Sequence, residues 1–130
     1  MTNSELTVAI VDDDETVRRA LRRMITSFSF APVEFDSGEA FLGSLHLPKI
    51  ACALLDLHMP DLNGIDVLQR IKSTGCSIPI IIITGGDQPS MRQRCLEAGA
   101  AGYLVKPADR ERVLSTIETC IGISVNNRNT

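Results

Sequence analysis

No apolar run in this 130-residue sequence approaches the ~18 residues that a membrane-spanning helix needs; the longest is Ile80–Ile83 with its flanks. Met1–Leu6 is polar and carries no basic segment, so no secretory leader is expected. Excess basic charge is missing as well. Thirteen Lys and Arg stand against 16 Asp and Glu, a net charge of −3, which excludes direct nucleic-acid binding read from charge and also a strongly acidic disordered chain. No Cys-x-x-Cys pair occurs among the scattered Cys52, Cys76, Cys95 and Cys120, so zinc and thioredoxin-type sites are excluded. The cysteines read as reduced thiols filling small core gaps, with Cys76 the most exposed, and the protein as cytoplasmic with no membrane partner. There are no internal repeats. With 44% apolar residues, the chain can bury one core: a single domain over 6–122, a loose N-terminus over 1–5, and a tail or linker stub over 123–130.

What is present is a regular alternation. Thr7–Val11 is a β-branched run that predicts a buried strand. After Asp12-Asp13-Asp14, residues Val17, Ala20, Leu21, Met24, Ile25 and Phe28 fall on one helical stripe. Asp14 is its expected N-cap, and Arg18, Arg19, Arg22 and Arg23 lie off the stripe as a solvated face. Pro32–Phe35 predicts a second strand and Ser37–Leu45 a short helix with Ala40, Phe41 and Leu45 inward, before Pro48 interrupts. Ala51–Leu55 is the third strand, His58–Gly64 a loop, and Ile65, Leu68 and Ile71 one face of a helix closed by Gly75. Pro79–Thr84 is the fourth strand, apolar at every position until Thr84, the pattern of a central parallel strand buried on both faces. A helix over Ser90–Ala98 offers Met91, Cys95, Leu96 and Ala98 to the core. A strand at Gly102–Lys106 follows, then a helix from about Asp109 to Ile121 burying Val113, Leu114, Ile117 and Cys120 or Ile121. This is a (βα)5 chain, and right-handed crossovers make it a doubly wound parallel sheet with helices on both faces.

Ligands of such sheets sit beyond the carboxyl ends of the strands. The residues there are Asp12 and Asp13, Asp56, Thr84 and Lys106, from four separate places in the chain. Three carboxylates brought together repel unless a cation intervenes. Hard oxygen donors with room for water suit Mg²⁺, the lysine supplies positive charge for a phosphoryl oxygen, and the threonine a neutral donor. The set suits transfer of a phosphoryl group onto a carboxylate. A dinucleotide fold would need Gly-x-Gly-x-x-Gly where Asp12-Asp13-Asp14 stands. A haloacid-dehalogenase-type phosphatase would need a second aspartate where His58 stands.

At these positions the sequence resembles the receiver domain of bacterial two-component response regulators, from about Leu6 to Ile121. Ile10-Val-Asp-Asp-Asp14 resembles the family's acid pair, and Leu54-Leu-Asp-Leu-His-Met-Pro-Asp-Leu-Asn-Gly64 its phosphoacceptor segment. The resemblance implies a flavodoxin-like fold with strand order 2-1-3-4-5 and Asp56 as the phosphorylated residue. It implies Mg²⁺ on Asp12, Asp13, Asp56 and the backbone carbonyl of His58, with Mn²⁺ able to substitute. Thr84 resembles the family's hydroxyl residue, Tyr103 its switch aromatic, and Lys106-Pro107 its lysine followed by a cis peptide bond. The chain is then a phosphoacceptor switch, not a turnover enzyme. Its donor is a sensor histidine kinase or a histidine phosphotransfer protein, and the face of the fourth helix, fifth strand and fifth helix, roughly Met91 to Ile117, is a possible homodimer surface. Thr84-Gly and His58 look most like regulators of nodulation and nitrogen fixation. Gly86 and His58 depart from commoner residues at positions that, in the family, flank the phosphoryl group and tune its lifetime. Such a receiver either stands alone or heads a longer DNA-binding regulator.

Overall fold

The apolar runs form five strands: β1 (Thr7–Val11), β2 (Ala31–Phe35), β3 (Ile50–Asp56), β4 (Ile80–Thr84) and β5 (Gly102–Val105). The structure is a computed structural model and describes residues 6–45 and 50–122. Every neighbouring pair of strands is parallel, in the order β2-β1-β3-β4-β5. Parallel neighbours require a crossover, and four helices supply it, α1 (Glu15–Ser27), α2 (Gly38–Leu42), α3 (Gly64–Thr74) and α4 (Met91–Glu97), while α5 (Arg110–Ile121) follows the last strand. The expected ends at residues 1–5 and 123–130, and Pro48, lie outside the described residues.

The period-2 alternation of the strands divides the core. Ala9, Val11, Ala53, Leu55, Ile80, Ile82 and Tyr103 face the layer of α2, α3 and α4, packing with Phe41, Val67, Ile71 and Cys95. Val8, Ile10, Cys52, Leu54, Ile81, Ile83 and Leu104 face α1 and α5, packing with Ile25, Phe28, Val113 and Ile117. All five residues of β4 are buried, as a strand covered on both sides requires. Capping residues start four of the helices. The carboxylate of Asp14 accepts from Thr16 N–H at 2.8 Å, and Ser37 Oγ accepts from Ala40 N–H at 3.0 Å. Asn63 and Asp66 form a reciprocal capping box, and Asp109 accepts from Arg112 N–H at 2.8 Å. Helix α3 stops at Gly75, which takes a φ of 79° that other residues resist.

Four expectations are corrected. Ala20 is exposed: the contact stripe of α1 runs through Leu21, Met24, Ile25 and Phe28, and Ala20 lies at its margin. Helix α2 ends at Leu42 rather than Leu45, and Ala40 faces solvent, because a five-residue helix offers the sheet little more than Phe41. Leu96 is 40% exposed, since α4 covers a short edge strand and buries only Cys95. Arg18 does not belong to a solvated face; its side chain is 16% exposed and bonded on two sides. Cys76 and Cys120 are both half-buried. Burial, then the neighbouring Cys120, pushes the Cys52 thiol up to about 12, which keeps it a protonated core residue.

Candidate functional site

Strand parity sets which groups meet. Asp12 continues the Val8–Ile10 series, Asp56 the Cys52–Leu54 series, and Lys106 follows Leu104, so all three belong to the α1/α5 side at the carboxyl edge. Thr84 and Tyr103 belong to the opposite side, on adjacent strands paired Ile82 to Tyr103 and Thr84 to Val105. One edge thus carries two groupings: an ionic cluster, and a hydroxyl–phenol pair behind it.

In the ionic cluster, Lys106 Nζ donates to Asp12 Oδ2 at 3.1 Å and to Asp56 Oδ1 at 3.2 Å. Asp13 completes a carboxylate triad: one oxygen from each of Asp12, Asp13 and Asp56 lies within 4.8 Å of the others. Asp12 and Asp56 are buried and Asp13 is exposed, so the triad opens to solvent on the Asp13 side. The backbone holds it tightly. Asp12 N–H donates to the Phe35 carbonyl at 3.1 Å, Asp14 N–H to Asp12 Oδ1 at 2.9 Å, and Lys106 N–H to the Thr84 carbonyl at 2.7 Å. The Lys106–Pro107 peptide is cis.

The segment after Asp56 is pinned by alternate side chains: Leu57, Met59 and Leu62 are buried, while His58, Pro60 and Asp61 are exposed. Gly64 lets α3 close onto it. A Cβ there would stand 3.0 Å from Leu57 Cα and 3.2 Å from the Asp56 carbonyl oxygen, and Gly64 N–H donates to the Leu57 carbonyl at 2.9 Å. The His58 ring lies over Gly86, its Nε2 3.3 Å from where a Cβ on that glycine would be.

One ammonium against three carboxylates leaves the cluster negative. Burial, and after it the Asp12 charge, raises the Asp56 carboxyl above its ordinary value of 3.8 despite the opposing pull of Lys106. Burial alone would lower the Lys106 ammonium; Asp56 and Asp12 outweigh it and carry it above 10.5. An uncompensated, oxygen-only donor set that opens to water fits a hard divalent cation such as Mg²⁺.

Thr84 is fully buried, and its Oγ1 accepts from Gly86 N–H at 3.0 Å. Tyr103 is buried with its hydroxyl donating to Asp87 Oδ1 at 2.7 Å; burial, then that carboxylate, raises the phenol well above its ordinary range. Sequence reading missed two residues here, Asp87 and Arg18. Asp87 follows Gly85-Gly86, where a loop carboxylate reads as a turn residue. Arg18 sits one turn after the cap Asp14, near enough to reach back to the strand end, and that position was its only cue.

The response regulator receiver domain model matches residues 8–118. The response regulator protein TmoT of Ectopseudomonas mendocina is 33% identical over 124 residues, 95% of this chain and 56% of TmoT. The transcriptional regulatory protein FixJ of Rhizobium meliloti is 35% identical over 115 residues, 88% of this chain and 56% of FixJ. The crystal structure of FixJ-N superposes with a TM-score of 0.85 at 33% identity, covering 92% of this chain and 96% of that one. The chain spans about half the length of these two relatives.

Proposed function

The chain belongs to the response regulator receiver family of two-component signalling, and from that premise we propose that Asp56 is its phosphoacceptor. The observation that carries the reading is the contact of Lys106 with both Asp12 and Asp56 inside a carboxylate triad. An Asp56 carboxylate oxygen attacks phosphorus, the bond from phosphorus to the donor's imidazole nitrogen or acyl oxygen breaks, and its electron pair leaves with the donor. An acyl phosphate remains on Asp56, and water later returns the carboxylate and inorganic phosphate. Mg²⁺, held by Asp12, Asp13, Asp56 and the His58 carbonyl, supplies charge neutralisation when bound. Lys106 neutralises a phosphoryl oxygen, and Thr84 donates its hydroxyl proton to another. Residues 6–122 form the receiver and 123–130 a tail or linker. The donor is a histidine kinase or histidine phosphotransfer protein in the cytoplasm, and the α4–β5–α5 face carries the output, including homodimer contact. The name of FixJ supports a receiver whose complete protein regulates transcription.

Incubation with acetyl phosphate or phosphoramidate and Mg²⁺ tests the reading. One phosphoryl group per chain should appear and then decay with first-order kinetics. Continuous, rapid release of phosphate would instead mark a phosphatase, and no adduct would mark an interaction module without chemistry.

The buried Thr84 hydroxyl and the Tyr103 phenol on the next strand give the coupling. A phosphoryl group that draws Thr84 forward competes with its bond to Gly86 N–H and shifts the loop carrying Asp87, the partner of Tyr103. Such coupling is on the order of 1–3 kcal/mol. Thr84→Ala should therefore still accept the phosphoryl group, while amide NMR with beryllofluoride shows reduced shifts at Tyr103 and along α4. Unreduced shifts there would contradict the coupling.

A further inference from the structure

Every polar atom of Asp12 has a partner, and one of these partners is a second cation, from outside the ionic cluster. Its N–H donates to Phe35, its Oδ1 accepts from Asp14 N–H, and its Oδ2 accepts from Lys106. Its carbonyl oxygen accepts from Arg18 Nη1 at 2.7 Å, the shortest of the four contacts. The same guanidinium pairs through Nε with Glu34 Oε1 at 3.4 Å, and Arg22 Nη1 holds the other Glu34 oxygen at 3.0 Å. Glu34 lies on β2 beside Ile10, two residues before Asp12. The bond spans the turn from β1 into α1, where the chain direction of the acid pair is set.

We propose that Arg18, anchored by Glu34, is a positioning residue that fixes the Asp12–Asp13 backbone so that both carboxylates face the cation site; this rests on the Mg²⁺ reading of the triad. Without the guanidinium, the Asp12–Asp13 peptide loses the bond that holds its carbonyl end, while Phe35 and Asp14 still hold the Asp12 N–H and Oδ1. The following residue, Asp13, is then held less firmly toward the shared site. Outer partners that orient metal ligands are worth about 10–100-fold in metal affinity.

For removal of Arg18, electrostatics and positioning predict opposite signs, which makes the role separable. Deleting a positive charge beside a cation site should by itself tighten Mg²⁺ binding, and deleting the Glu34 charge should weaken it. Positioning requires both changes to weaken it.

The test measures Mg²⁺ half-saturation, from the Mg²⁺ dependence of Tm and by calorimetric titration with Mg²⁺ alone, in the unmutated protein and in Arg18→Met, Arg18→Lys, Glu34→Gln and the Arg18→Met/Glu34→Gln double variant. Arg18→Met should need about tenfold more Mg²⁺. Glu34→Gln should shift the same way by less, Arg18→Lys should recover part of the loss, and the double variant should be no worse than Arg18→Met. If Arg18→Met does not fold, Arg18→Lys carries the comparison: it keeps the charge, so electrostatics predicts no change and positioning predicts weaker binding. Unchanged or tighter half-saturation in the Arg18 variants, with only Tm lowered, overturns the role and leaves Arg18 as a tie between α1 and β2. An unmutated protein that does not respond to Mg²⁺ overturns the metal reading itself, and this role with it.

Discussion

Asp56→Asn should accept no phosphoryl group, and its metal-free form should nonetheless melt at a higher temperature than the unmutated protein. The first effect follows from chemistry, because a carboxamide oxygen is a poor nucleophile. The second follows from the cluster. Asp56 is buried beside Asp12, and burial followed by that charge raises its carboxyl above 3.8. A group whose folded pKa exceeds its unfolded pKa costs stability when ionised. The cost is absent below the unfolded value of 3.8, grows as pH rises from there to the folded pKa, and is complete above it. The amide removes it while keeping an oxygen for Lys106 to bond. Single stabilising substitutions commonly gain about 0.5–2 kcal/mol. For a chain of this size that is roughly 5 °C in Tm. Melts in chelator across pH check it: the advantage of Asn over Asp should be present at neutral pH and shrink toward pH 3.8. A difference independent of pH would mean that charge is not its source.

Lys106→Met should act in the opposite direction. It removes the only cation bonded to the carboxylates of Asp12 and Asp56 among the described residues, leaving two buried carboxylates facing each other. Breaking such a pair from one side costs about 3 kcal/mol. Lys106 is a cation whose folded pKa is raised, so its contribution is fully present below 10.5 and lost as pH rises through the folded value. The variant should therefore be destabilised throughout the neutral range. It should recover on acidification, as the carboxylates take up protons, and on addition of Mg²⁺, which binds the native state. Thermal melts with and without Mg²⁺ read both. A variant that loses stability but regains none with either treatment would place the cost in lost packing of the lysine stem rather than in charge.

The two predictions share one physical reason, and the same reason explains what was legible in the sequence. Strand ends are readable because apolar runs stop where function begins. Thr7–Val11 stops at Asp12, Ile50–Leu55 at Asp56 and Ile80–Ile83 at Thr84, so topology alone gathers the triad, the hydroxyl and the lysine at one edge. Helix faces were readable only where they are long. In α1 the stripe at Leu21, Met24, Ile25 and Phe28 holds. In α2 and α4, of five and seven residues, too few turns exist for periodicity to separate Ala40 or Leu96 from the buried positions. Contacts made by polar side chains across elements were not readable. Arg18 and Arg19 are adjacent arginines of one helix, yet the first bonds the Asp12 carbonyl and the second only Glu15 on its own helix. Which of them turns inward depends on the twist between β1, β2 and α1, a property that local sequence does not carry.

The central claim is that the phosphoryl group resides on Asp56. It is tested most directly by reducing the acetyl-phosphate-treated protein with borohydride, which converts an aspartyl phosphate to homoserine, and locating the change by tandem mass spectrometry. Homoserine at position 56 in samples that contained Mg²⁺, and its absence in samples that contained chelator, is the predicted result. Homoserine at position 12 or 13, or an equal yield at position 56 without a divalent cation, would contradict it.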